Sequence, residues 1–360
     1  MKCGIVGLPN VGKSTLFNTL GSAKAEAANY PFCTIEPNVG IFTVPDPRLG
    51  EISAIVKTQK TVPSTVQIVD IAGIVKGASK GEGLGNQFLQ HIRETDAIVH
   101  LVRCFVNDDI VHVDGSVDPL RDIEVINTEL ILADLQSIEK RAEKERRMAK
   151  TGDKDAKKAA EILDALQAHM NQGKPARSLP LDPKDQEFVK TLFLISAKPV
   201  LYVANISSKE EDKVHAEKVR KLAEAEHAQF LMLDGGMESE IAQLPEEDRQ
   251  VFLADMGLEE PGLHRFIRAA QDLLGLCTYY TAGVKETRAW TIHKGMKAPQ
   301  AAGVIHTDFE RGFICAETYK SDDLVRLGSE QKVKEAGLLR QEGKDYTVQP
   351  GDVLLFRFNV

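Results

Sequence analysis

What this chain of 360 residues lacks narrows its class first. No apolar stretch approaches the roughly 20 residues needed to span a bilayer, so no membrane partner is expected. The N-terminus runs straight into a strand-like segment, which leaves no place for a signal peptide. Cysteine is sparse: Cys3, Cys33, Cys104, Cys277 and Cys315 are odd in number, scattered and free of any C-x-x-C. That excludes a disulfide framework and points to reduced thiols in the cytoplasm. Net positive charge is also missing. With 45 Lys/Arg against 53 Asp/Glu, the formal charge of −8 argues against a globally basic nucleic-acid binder, and DNA is not expected as a partner. There is no internal repeat and no low-complexity segment. What remains is an ordinary globular composition, 42% hydrophobic and 27% charged, at a length that fits two or three domains.

The residues Gly7-Leu8-Pro9-Asn10-Val11-Gly12-Lys13-Ser14 form a G-x-x-x-x-G-K-S phosphate loop. A buried strand, Cys3-Gly4-Ile5-Val6, precedes it, and a helical run from Ser14 to Leu20 follows. Strand, loop and helix together turn the pattern into a mechanism. The glycines let the backbone wrap a phosphate, and the helix N-terminus points N–H groups at the anion. Asn10, Val11, Gly12, Lys13, Ser14 and Thr15 are therefore the expected nucleotide-binding residues. Lys13 supplies positive charge to the outer phosphates, and Ser14 offers an oxygen to Mg²⁺.

Further strands are expected at Val66–Val69, Ile98–Val102, Pro199–Ala204 and Phe230–Leu233, with helical patterns between them. That alternation predicts an α/β fold with a mostly parallel sheet covered on both faces. One stretch departs from it. Ile131, Leu135, Ile138 and Ala142 are spaced 4, 3, 4, and Ala156, Ala159, Leu163, Leu166 and Met170 are spaced 3, 4, 3, 4. These are coiled-coil seam spacings, and Thr151-Gly152-Asp153 can turn the chain between them. Asp182 and Pro183 then start another helix. Residues 122–196 read as an α-helical insertion into a nucleotide domain spanning 1–275. Within it, Glu139 to Lys158 holds nine Lys/Arg and five Asp/Glu, either a footprint for a polyanion or a solvated helix face. From 276 to 360, strand-like runs at Arg288–Ile292, Gly312–Ala316 and Val353–Phe358, with a helix expected over Ser329–Glu342, predict a small α+β domain with 12 basic and 11 acidic residues.

Asp70-Ile71-Ala72-Gly73 fits D-x-x-G at the end of a strand. In phosphate-loop proteins that Asp belongs to the Mg²⁺ shell, and the Gly N–H meets the γ-phosphate. Thr34, in the intervening Tyr30–Pro37 loop, is a candidate Mg²⁺ ligand that binds only while the γ-phosphate is present. Gly77, Gly81, Gly83 and Gly85 follow, in a segment suited to changing conformation with nucleotide state.

Taken with Pro31-Phe32-Cys33-Thr34-Ile35-Glu36-Pro37, with Tyr280 to Thr291 and with Ala301 to Ile314, these motifs resemble the YchF branch of the Obg-related, translation-factor-class NTPases across essentially the whole chain. The resemblance implies a C-terminal β-grasp-like TGS domain and ATP as substrate. It also implies a ribosomal partner (50S subunit or 70S), reached through the helical insertion, the TGS domain or both. A guanine-specific site uses N-K-x-D, whose Asp accepts from the guanine ring. Here the strand ends Asn205-Ile206-Ser207-Ser208, so guanine specificity is expected to be weak. The resemblance assigns adenine contacts to Asn205 and the backbone near Ile206. Where Ras-like enzymes carry a water-orienting Gln, this chain has Ile74, which predicts slow hydrolysis. The resemblance maps a water-positioning histidine onto His112. The expected function is thus a slow Mg²⁺-dependent ATPase switch, with Lys13 and His112 catalytic and with Ser14, Thr34 and Asp70 serving the metal. A GTPase of the Obg class, or a ribosome-binding regulatory protein with incidental turnover, is the alternative.

Overall fold

A computed structural model describes residues 1–21, 38–71, 84–107, 109–113 and 115–359. The strands are β1 (Lys2–Val6), β2 (Val39–Thr43), β3 (Thr61–Val62), β4 (Thr65–Asp70), β5 (Ala97–Arg103), β6 (Val200–Ile206), β7 (Gln229–Asp234), β8 (Leu276–Thr281), β9 (Thr287–His293), β10 (Phe313–Lys320), β11 (Arg340–Glu342) and β12 (Asp352–Phe358). The helices are α1 (Lys13–Leu20), α2 (Pro47–Val56), α3 (Leu84–Arg93), α4 (Pro119–Ala149), α5 (Lys154–Met170), α6 (Pro183–Lys190), α7 (Glu210–Ala225), α8 (Gly235–Gln243), α9 (Glu246–Asp255), α10 (Gly262–Leu273), α11 (Ala298–Ile305), α12 (Thr307–Arg311), α13 (Ser321–Leu327) and α14 (Glu330–Glu335). No helix among the described residues is long and apolar enough to cross a membrane.

The chain divides into two compact units, one of residues 1–40 and 67–266, the other of residues 41–66 and 267–360. In the first unit β1 pairs in parallel with β4 and β5, β5 with β6, and β6 with β7, in the sheet order β4-β1-β5-β6-β7. Every residue of β5 is buried, as a central strand covered on both faces requires. The phosphate loop and the segments after Arg103, Ile206 and Asp234 all leave the carboxyl ends of these parallel strands, where open α/β sheets hold ligands. This is the α/β architecture the strand spacing predicts.

Helices α4 to α6 lie between β5 and β6. The seam spacings locate the contact: Ile131, Ile138 and Ala142 of α4 pack with Leu163, Leu166 and Met170 of α5. Gly152 turns the chain at φ +92°, and Asp153 caps α5 through the Asp155 and Ala156 N–H groups. Both helices extend beyond the expected runs. An Asp-Pro pair starts α4, Asp118 accepting from the Arg121 N–H, just as Asp182 caps α6. Asp134 of α4 is fully buried and accepts from the Ile195 and Ser196 N–H groups at 3.0 and 2.7 Å, which fixes the helix against the entry to β6.

The second unit is a mixed sheet, β11-β10-β12-β8-β9-β3, with α11 packed on it through Ala298, Ala301 and Ala302. Residues 41–66 belong to this unit. Leu49 and Ile52 of α2 share a core with Tyr280, Ala289 and Val353, and the Tyr280 hydroxyl donates to Asp46 at 2.8 Å. The helix expected over Ser329–Glu342 is corrected: α14 ends at Glu335, Gly337 takes φ +70°, and β11 pairs antiparallel with β10. A residue with that φ stops a helix, and the strand pairing that follows is a long-range choice.

A pH dependence follows from β5. His100 is 3% exposed, its ring 5.6 Å from Tyr202, and its pKa is pushed down to about 3, first by burial and then by the Arg177 charge. The folded value lies below the 6.5 of the free side chain, so its neutral form stabilises the fold above about 6.5 and that contribution is lost as pH falls towards 3. The expected loss approaches about 1.4 kcal/mol per pH unit within that window. Urea unfolding at pH 7.5, 6 and 5, comparing the natural chain with His100→Phe, isolates it. Equal slopes in the two proteins contradict the assignment.

Candidate nucleotide site

The phosphate loop leaves β1 and enters α1 as the sequence predicts. Gly12 sits at the N-cap of α1 with φ +92°, and Asn10 also has positive φ, +63°. An added Cβ on Gly12 would lie 2.3 Å from Asn205 Nδ2, so only glycine permits this approach. Asn205, buried at the end of β6, donates to the Val11 carbonyl at 2.9 Å and accepts from the Gly235 N–H at 3.0 Å. Its amide thereby ties the phosphate loop to the start of α8.

Beside the loop is a cavity of about 680 Å³. Asn10, Gly12, Lys13, Ser14 and Thr15 line one side, Asn205, Ile206 and Ser207 another, and Phe105, Ile110, Asp234, Gly235 and Gly236 complete it. Val11 is buried behind the wall and takes part through its carbonyl. Lys13 Nζ donates to the Ile71 carbonyl and lies 3.4 Å from Asp70 Oδ1. The two motifs, far apart in sequence, therefore meet at the mouth of the phosphate loop. Gly73 and Thr34, with Cys33 and Ile74, lie outside the described residues.

The donor set suits a hard divalent ion. Asp70 Oδ1 is buried, makes no hydrogen bond among the described residues and lies against the Lys13 ammonium, and Ser14 lines the cavity with Lys13. A carboxylate oxygen left in that state is a place where a cation replaces water. Among the described residues no group of three or more His, Cys, Asp and Glu forms a metal cluster.

Of the two carboxylates near Ser207, Asp212 is sequestered, while Asp234, which lines the cavity, is engaged through one oxygen. Asp212 is fully buried and accepts from the Ser207 N–H and hydroxyl at 2.9 and 2.6 Å and from the Val106 N–H at 3.2 Å. Asp234 Oδ1 caps α8 by accepting from Gly236 and Met237 at 3.0 Å each. Ser208 is exposed. Phe105 and Ile110 add apolar walls, which suit a stacked base.

His112 is off the cavity wall. Its Nε2 lies 2.9 Å from Asp122 Oδ2, and both side chains are buried. A carboxylate oxygen accepts, so in this contact Nε2 donates. The preceding residue is bound to the phosphate loop, with Asn10 Nδ2 donating to the Val111 carbonyl at 3.1 Å. Sequence reasoning missed Arg103, Phe105, Ile110, Asp122 and Asp212. No motif names them: Arg103 and Asp212 act on main-chain groups, Phe105 and Ile110 line the cavity, and Asp122 holds His112.

The fold and the loop define a P-loop nucleotide-binding protein of the GTPase-like α/β class. Residues 2–126 match the MMR_HSR1 family, 50S ribosome-binding GTPase, and residues 276–359 match YchF-GTPase_C, described as a protein of unknown function (DUF933). The ribosome-binding ATPase YchF of Bacillus subtilis (strain 168) is 54% identical over 367 residues, covering 100% of both chains. That of Haemophilus ducreyi is 55% identical over 360 residues, covering 100% of this chain and 99% of that one. The solved Schizosaccharomyces pombe YchF GTPase superposes with a TM-score of 0.87 at 35% identity, covering 99% of this chain and 97% of that one. The chain belongs to the YchF family.

Proposed function

We propose that this protein hydrolyses ATP to ADP and phosphate with Mg²⁺ and acts as a nucleotide-dependent switch on the ribosome, in the cytoplasm. The observation that carries the choice of nucleotide is the base end of the cavity. A guanine site holds an ionised carboxylate against the ring N–H and amino group. Here Asp212 is sequestered by the Ser207 and Val106 N–H groups, Asp234 is held through Oδ1 as the cap of α8, and the fourth position of the motif is Ser208. Adenine presents one amino donor and ring acceptors, which neutral backbone groups near Ile206 satisfy without a buried charge. The bacterial relatives are named ATPases and the fission-yeast structure a GTPase, and the lack of a carboxylate at position 208 supports the ATP reading.

In this reading, the N–H groups of Gly12 to Thr15 and the Lys13 ammonium hold the phosphates, and Lys13 exchanges Ile71 and Asp70 for γ-phosphate oxygens. Ser14, Thr34 and Asp70 would hold Mg²⁺, which supplies charge neutralisation at the β- and γ-oxygens. Gly73 donates its N–H to the γ-phosphate. Water adds to the γ-phosphorus in line as the bond to the β–γ bridging oxygen breaks; ADP leaves with that oxygen, and the water proton passes to the phosphate. His112, held by Asp122, orients the water. With Ile74 in the Gln position, turnover without a partner is slow. The basic run of α4 and α5 and the TGS-like C-terminal unit are the surfaces offered to the ribosome.

Competition of ATP and GTP for one fluorescent nucleotide, with and without ribosomes, tests the reading. ATP is expected to bind tighter, and tighter GTP binding overturns it. Restoring N-K-x-D with Ile206→Lys and Ser208→Asp together is expected to move the GTP/ATP affinity ratio upward by about 10-fold or more. Ribosomes are expected to accelerate hydrolysis. Ribosome binding indifferent to nucleotide, with turnover unchanged, favours the regulatory protein with incidental hydrolysis.

A further inference from the structure

Arg103 closes β5 and is 1% exposed, the largest of the fully buried side chains. A buried guanidinium is costly unless its donors are met. Here they are met by one loop. Nε donates to the Phe105 carbonyl at 3.2 Å, Nη2 to the Asn107 and Ile110 carbonyls at 3.2 and 2.9 Å, and Nη1 reaches the Val111 carbonyl at 3.5 Å. Its Cζ lies 4.6 Å from the centre of the Phe105 ring. The described residues of this loop, 104–107 and 109–113, are in neither helix nor strand. The planar fork of Arg103 does for them what a sheet ladder does for a strand.

The loop delivers three parts of the site. Phe105 and Ile110 line the cavity. The Val111 carbonyl accepts from Asn10 of the phosphate loop as well as from Arg103, so a single carbonyl joins nucleotide contact to guanidinium. The next residue is His112, bonded to Asp122; burial pushes the Arg103 guanidinium down, and the Asp122 charge opposes that. We propose that Arg103 is a positioning residue for hydrolysis: it fixes the loop so that the phosphate loop, the base walls and His112 keep one geometry. This rests on the proposed role of His112 in ATP hydrolysis. Arg103 is not among the residues lining the cavity and acts on turnover through His112. Lysine retains the charge but has a single nitrogen, which cannot span four carbonyls.

The test is a double-mutant cycle on the full chain: natural protein, Arg103→Lys, His112→Ala and the double variant. Single-turnover ATP hydrolysis and fluorescent-ATP affinity are measured for each, and thermal melts establish folding. Arg103→Lys is expected to lower the hydrolysis rate by about 10- to 100-fold, more than it weakens ATP binding, because small misplacement of a positioned group costs that much. In the His112→Ala background it is expected to lower the rate no further. If the two losses multiply, or Arg103→Lys hydrolyses at the natural rate while His112→Ala does not, the inference is overturned and the role of His112 stands. If His112→Ala alone hydrolyses normally, the proposed hydrolysis mechanism fails and the inference with it. Should Arg103→Lys not fold, Asn107→Gly loosens the same turn from an exposed position by removing the acceptor of the Asp109 N–H, and the same pattern is expected.

Discussion

Gly12→Ala is expected to remove ATP binding and to destabilise the nucleotide-binding unit. Two costs combine. The backbone at φ +92° is strained for any side chain, and the new Cβ would stand 2.3 Å from Asn205 Nδ2. Asn205 cannot retreat without losing its bonds to the Val11 carbonyl and the Gly235 N–H, both in the buried interior. Strain and two buried hydrogen bonds amount to about 2–4 kcal/mol. The loop N–H groups would lose their common aim, and a loss of about 3 kcal/mol is already more than 100-fold in affinity. Fluorescent-nucleotide titration and chemical denaturation measure the two effects. Gly152→Ala is the control: it has the same φ with nothing within 4 Å of a new Cβ, so it should show only strain and keep ATP binding. Similar ATP affinities in the two variants would contradict the steric account.

His112→Ala is expected to lower kcat by about 100-fold or more while ATP affinity changes little, the range for losing one group that handles the attacking water. The side chain is absent from the cavity wall, so ground-state binding does not depend on it. The variant also leaves Asp122 buried beside Arg121, 3.4 Å away, so a modest loss of stability accompanies it and a melt must confirm folding. His112→Asn, which can still donate to Asp122, should restore stability without restoring the rate. A natural kcat in folded His112→Ala removes the residue from the mechanism.

Some of this site was legible and some was not, for definite reasons. The phosphate loop was legible because its residues are contiguous and each position has a local duty, in phosphate approach, charge or metal. The α4–α5 seam was legible because a 3–4 spacing fixes which residues share a helix face. The Asp-Pro starts of α2 and α4 carry the same signal used at Asp182 and went unread, although Asp46 and Asp118 cap them in the same way. Arg103 was illegible: it speaks to four carbonyls, and a carbonyl has no residue identity. The adenine contact of Asn205 is implied by the resemblance alone; the bonds of its amide to Val11 and Gly235 come from the tertiary structure.

The sequence by itself determined that this chain carries a phosphate-loop motif at Gly7–Ser14 and has no guanine-reading carboxylate at position 208. Both are properties of short segments, where residue type and spacing leave few options. Only the tertiary structure decided that residues 41–66 pack with 267–360, through Asp46 with Tyr280 and Arg48 with Asp322 at 2.7 Å. It alone brought Lys13 to Asp70 and set one buried guanidinium between the base walls and His112. Those pairings join residues tens to hundreds of positions apart. They are chosen by which buried polar groups can satisfy one another once the strands are in place.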